Sequence, residues 1–165
     1  MSALGPITVT LGVGALAAVA LSHVGARARD DHDDALVAWG LVWVWCVGVA
    51  ARVLTPEFFP DIQAQLYLWS GPLIDLMFGW FVLHIYLQRR PNSGWKTVLL
   101  GLTAGQIAAH LLFGLAPKSA TAIYAYKASL NLTYVGQLIC AAAPGLRHAA
   151  RRLAPQAQQS RQGAE

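Results

Sequence analysis

The chain has 165 residues, of which 56% are apolar and only 12% charged, with a formal net charge of +4. A soluble domain of this length could not hide that much apolar surface, because small domains leave a large share of it exposed; lipid removes the difficulty. The positive balance does not imply a nucleic-acid partner either, because the charges are confined to loops and the tail, as in membrane proteins.

Five apolar segments follow in chain order, at about 6–24, 35–54, 65–87, 95–116 and 120–143. Each is close to the ~20 residues that cross ~30 Å of hydrocarbon. The first is rich in small residues and has no Lys or Arg before it, so it reads as a retained helix and not as a cleaved signal. The second carries Trp39, Trp43 and Trp45 and follows an acidic run of Asp30, Asp31, Asp33 and Asp34, suited to a helix N-terminus. Phe58 and Phe59, between Pro56 and Pro60, read as an interfacial aromatic anchor. Pro72, after Ser70 and Gly71, predicts a kink in the third segment. Pro91, Pro117 and Pro144 fall just past a segment, where a helix stops without losing an internal bond. The expected fold is therefore an all-α polytopic transmembrane bundle over residues 1–145, followed by a basic, disordered cytoplasmic tail over 146–165.

With five spans, Arg27, Arg29, Arg89, Arg90, Lys96, Arg147, Arg151, Arg152 and Arg161 share one side, against Arg52 and Lys118 on the other. The positive-inside rule then places the N-terminus outside and the C-terminus in the cytoplasm.

Ionisable side chains inside a span are costly and face a bundle interior or a water cavity. This chain has Asp75, His84, His110 and Lys127 in such places. At a rise of ~1.5 Å per residue, Asp75 lies ~15 Å, His110 ~9 Å and Lys127 ~10 Å from the outer ends of their segments. The three are expected to share one layer. Gln106 lies on the His110 face, four residues away, and Lys127, Asn131 and Tyr134 form a stripe on the fifth segment. The expectation is an Asp75–Lys127 ion pair completed by His110 and Gln106. It serves either to fix helix register or to carry a proton, an ion or a small ligand.

The histidines within the apolar segments raise the question of haem b. His84 and His110 differ in level by ~15 Å and cannot bracket one iron, whereas His23 is at about the level of His84. His84 also lies close enough to Arg89 and Arg90 to reach the interface simply as a polar residue. Cys46 and Cys140 fall inside apolar runs without a C-x-x-C pair, so neither a disulfide nor a metal site is expected. Gly101 and Gly105 make a GxxxG spacing, and Gly14 and Ala18 share the interval. Such faces serve helix packing within a subunit or contact between copies.

The stretch from Asn131 to Gly145, NLTYVGQLICAAAPG, resembles small multi-span membrane proteins of tailed bacteriophages, among them holin-like permeabilising proteins. The resemblance carries no site residue, and five spans depart from the two or three commonest in holins. It implies a protein of bacterial or phage origin in the bacterial cytoplasmic membrane.

No P-loop, G-x-S-x-G elbow or H-E-x-x-H pair occurs, so no enzymatic activity is expected. The leading expectation is a pore-forming or permeabilising membrane protein. The alternatives are a haem- or quinone-binding redox subunit, with the site near His84 or His110, and an accessory anchor for a partner complex.

Overall fold

The computed structural model describes residues 6–29, 33–59, 61, 63–89, 94–115 and 119–162. Among the described residues it is all-helical, with α1 (Pro6–Arg29), α2 (Asp33–Phe58), α3 (Gln63–Arg89), α4 (Gly94–Leu115) and α5 (Ala120–Gln162). Pro91, Pro117, Asp30, Asp31, Arg90 and Lys118, on which parts of the sequence reading rested, lie outside the described residues.

Local chemistry sets the helix starts. Pro6 opens α1, where its missing N–H costs nothing. Asp33 and Asp34 occupy the first turn of α2, where the helix dipole favours negative charge. Ser119 caps α5: its Oγ accepts from the Ala122 N–H at 3.1 Å and its carbonyl from the Ile123 N–H at 3.0 Å. Within the helices, the hydroxyls of Thr10, Ser22, Thr103, Ser129 and Thr133 donate to carbonyls three or four residues back, so they need no water.

Each helix packs on its neighbours in sequence, α5 returns to α1 to close a ring, and α2 meets α5 across it. Short connections make successive helices antiparallel. The bundle thus has a Lys96 end, where α1 and α3 finish, and a Phe58 end, where α2 and α4 finish. The core holds Ala15, Ala18, Val37, Leu41, Phe78, Val82, Leu99 and Leu138.

Many large apolar side chains are exposed on the outer surface, Trp80, Leu112, Leu115 and Leu132 among them. Four helices, over Pro6–Arg27, Asp33–Leu54, Trp69–Gln88 and Gly94–Leu115, are long and apolar enough to cross a membrane. An apolar surface around a helical bundle is compatible with a lipid environment and would be a liability in water. The comparable stretch of α5 is less apolar because it carries Lys127, Asn131 and Gln137.

Two expectations need correcting. The last helix does not stop at Pro144, and the described part of the tail is helical: α5 runs unbroken to Gln162. A proline removes one internal hydrogen bond, and here good helix formers surround it, Ala141 to Ala143 before and Ala149 and Ala150 after. α3 contains Pro72, the position of the expected kink, within the helix.

Glycines set the closest approaches. A Cβ on Gly145 would overlap the backbone of Leu21, with the Leu21 carbonyl carbon only 2.5 Å away, and one on Gly25 would sit 3.0 Å from the Gly145 nitrogen. α1 and α5 therefore touch backbone to backbone. Gly14, facing Leu138, belongs to the same interface, whereas Gly101 and Gly105 meet nothing within 4 Å and face outward.

Candidate functional site

α4 buries one face, and most of that face is polar. Lys96, Leu99, Thr103, Gln106 and His110, spaced three or four residues apart, fall on one side of a helix and are all buried. Each of the four polar residues finds a partner on another helix, as buried polar groups must. Lys96 Nζ lies 3.6 Å from Asp34 Oδ1 of α2, at the Lys96 end. Gln137 of α5 donates to the Thr103 hydroxyl at 3.0 Å in the middle of the bundle. Between these levels stands Leu99, with no exposed surface.

Toward the Phe58 end the seam ends in a group from three helices. Asp75 of α3 accepts from Gln106 Nε2 at 3.2 Å through Oδ1 and lies 2.9 Å from His110 Nε2 through Oδ2. The other ring nitrogen, His110 Nδ1, is 2.5 Å from the hydroxyl of Tyr126 on α5. One tautomer satisfies the set: Nε2–H donates to the carboxylate and Nδ1 accepts from the phenol. The Tyr126 ring is held by stacking on Phe113, with centroids 4.0 Å apart, and by an edge contact with His110. Gly71 makes room for the imidazole, since a Cβ there would overlap its Cε1 and approach Nε2 to 3.0 Å. Arg52, near the end of α2, acts electrostatically on the Tyr126 phenol.

One atom is left over. Gln106 Oε1 is buried and has no hydrogen-bond partner among the described residues. Turning the amide round would set its oxygen against the Asp75 carboxylate, so the orphan acceptor is a consequence of the pairing.

The structure thus brings together Asp75, Gln106 and His110, and departs from the sequence reading on the fifth helix. Lys127 is exposed and makes no ion pair with Asp75; Asn131 is half-buried; Tyr134 is buried but donates to the Leu41 carbonyl at 2.9 Å, away from the group. The cause is a rotation of about 100°, one residue on a helix. The inward face of α5 is that of Tyr126, Tyr134, Gln137 and Ala141, and it places Tyr126 where Lys127 was expected. A lysine also gains by extending its amine along the stem toward a polar boundary.

Tyr126, Thr103, Gln137 and the Asp34–Lys96 pair were not read from the sequence as site residues. The signal for two of them, Thr103 and Lys96, was present. Extending the Gln106–His110 face back along α4 by the same three- and four-residue steps reaches Thr103, Leu99 and Lys96.

The haem expectation does not fit this chain. His23 accepts from Trp39 Nε1 at 3.1 Å, His84 is exposed, and α1 and α3 make no contact among the described residues, so the two imidazoles lie on separated helices. Both ring nitrogens of His110 are engaged, by Asp75 and Tyr126. Cys46 and Cys140 are free thiols.

No family model matches the sequence, and no curated protein or solved structure is significantly similar to it. The site must be read from its own geometry.

Proposed function

We propose that the chain is a non-enzymatic integral membrane protein of a bacterial cytoplasmic membrane, of bacterial or phage origin, that makes the membrane permeable to protons or small ions along the buried seam of α4. In this reading it crosses the bilayer five times, with the N-terminus outside and the C-terminus in the cytoplasm. The Lys96 end is then the inner end and the Phe58 end the outer one. The distribution of Lys and Arg supports that direction. The ring of five helices, in which α5 closes the bundle between α1 and α4, supports the five crossings.

The single observation behind the permeability reading is the seam itself. Lys96, Thr103, Gln106 and His110 are buried on one face of a helix whose outside is apolar. Polar and ionisable residues inside a membrane are expensive, and they mark ion and proton pathways. Leu99, packed in the core with Val37, Leu41 and Val82, interrupts the seam as a dry apolar plug. Apolar constrictions of that kind gate by excluding water.

Inducible expression of the full chain in a bacterium, followed with a potential-sensitive dye, tests the reading. The membrane potential should collapse, and Leu99→Ser should collapse it faster. Normal growth and potential at high expression, with the protein recovered from the membrane, would count against it.

A second reading has its own support. α5 extends beyond Pro144 as a helix carrying Arg147, Arg151, Arg152 and Arg161, a form suited to anchoring a partner complex in the cytoplasm. A protein co-purifying in mild detergent, and lost when residues 146–165 are removed, would favour it.

A further inference from the structure

We propose that Tyr126, His110 and Asp75 form a proton relay, from the outer half of the bundle to a water molecule held on Gln106 Oε1, so that the permeant species is the proton. The inference deepens the permeability reading and rests on it.

Three observations converge. The first is an unbroken chain of short contacts, phenol to Nδ1 and Nε2 to carboxylate, in which every donor faces an acceptor. The second is the orphan Gln106 Oε1 beside the same carboxylate, more than nine-tenths buried and in need of a proton donor. Water is the smallest donor able to satisfy it, and it would bridge to Asp75 as ordered water does at buried polar sites. The third is access: Tyr126 is only half-buried, while Asp75, Gln106 and His110 are buried, so the chain opens at its tyrosine.

The transfer balances without an oxidant or reductant. A proton from outside bonds to the Tyr126 oxygen as the phenol O–H breaks toward Nδ1. The Nε2–H bond then breaks toward Asp75 Oδ2, which becomes a neutral carboxyl. Asp75 passes its proton to the water on Gln106, and a water-carried transfer, in which the Nδ1–H bond breaks and an Nε2–H bond forms, restores the first tautomer. One proton enters, one leaves, and the charge of the group is unchanged at the end of the cycle. The charged groups that face the relay come from three helices: Asp75 and His110 on α3 and α4, and Arg52 on α2, whose charge acts on the outermost member. Lys127, exposed on α5, is outside it.

The test uses the full chain in vesicles of phosphatidylethanolamine and phosphatidylglycerol, with an enclosed pH dye and potassium release read in parallel. It is run in the wild type and in the Leu99→Ser background, where the plug no longer limits flux. Protons should enter faster than in empty vesicles, and Tyr126→Phe, which keeps the ring stacked on Phe113, should slow entry by about a hundredfold. Gln106→Leu, which removes the water-holding oxygen, should slow it too, and Lys127→Met should leave it unchanged. Helicity and monodispersity of each variant confirm that it folds. If protons and potassium pass but neither Tyr126→Phe nor Gln106→Leu alters proton entry, the relay is overturned while permeability stands. If neither ion passes in either background, the permeability reading fails and the relay with it.

Discussion

Replacing Gly145 with alanine adds one methyl group where the structure has no room for it. The new Cβ would lie 2.5 Å from the Leu21 carbonyl carbon and 3.0 Å from its Cα, with the carbonyl oxygen nearer still; ordinary contact begins at 3.4 Å. Because the opposing atoms are backbone, no rotamer change relieves the overlap, and α1 must move away from α5 by about 1 Å. A gap of that size forfeits roughly a quarter to a half of the dispersion energy of each atom pair it separates. Overpacking costs about 1–3 kcal/mol, and a backbone collision belongs at the upper end, while alanine returns about 1 kcal/mol of helix propensity. The net expectation is a loss of about 2 kcal/mol, near the top of the 5–30-fold range in folded fraction. Unfolding by a denaturing detergent titrated into mixed micelles, followed by tryptophan fluorescence, measures it. Gly101→Ala and Gly105→Ala are the controls: they meet nothing within 4 Å and should be neutral or slightly stabilising. Equal stability of Gly145→Ala and these controls would refute the backbone contact.

Three other outcomes are expected. Lys96→Met removes the ammonium that lies 3.6 Å from the buried Asp34 carboxylate and should cost up to about 3–5 kcal/mol in the same titration, whereas Lys96→Met with Asp34→Leu should recover part of it. Gly71→Ala drives the imidazole of His110 away from Asp75 and Tyr126, and a changed His110 ring-nitrogen shift in NMR, with reduced stability, should report it. With Cys46 and Cys140 replaced by serine, reporters at Glu165→Cys and Arg90→Cys should both be labelled only from the cytoplasmic side; opposite sides would end the five-crossing topology.

The helices were legible because apolar runs of bilayer length are a strong signal, and the layer holding Asp75 and His110 followed from helix rise alone. What failed on α5 was phase. Lys127 and Tyr126 are adjacent, and a charged amine drew attention from the phenol that makes the contact. Depth along a helix accumulates error slowly, whereas rotation errs by about 100° for each residue misjudged. The persistence of α5 through Pro144 was hidden for a different reason: a proline stop is a local rule, and tertiary packing against Leu21 and Gly25 is not local. The Asp34–Lys96 pair was missed because both residues lie near helix starts, where each has an ordinary role as a terminal charge.

The junction of α1 with α5 has a consequence for biosynthesis. α1 is made before α5 and the two interlock, so until α5 follows, the flank of α1 has nothing on which to close. Until α5 is threaded in, the Thr103 hydroxyl lacks Gln137, His110 lacks Tyr126, and the flank of α1 that will receive Gly145 is bare. In the membrane reading proposed above, a ribosome stalled before residue 120 would leave an open, partly polar sheaf of helices in the lipid.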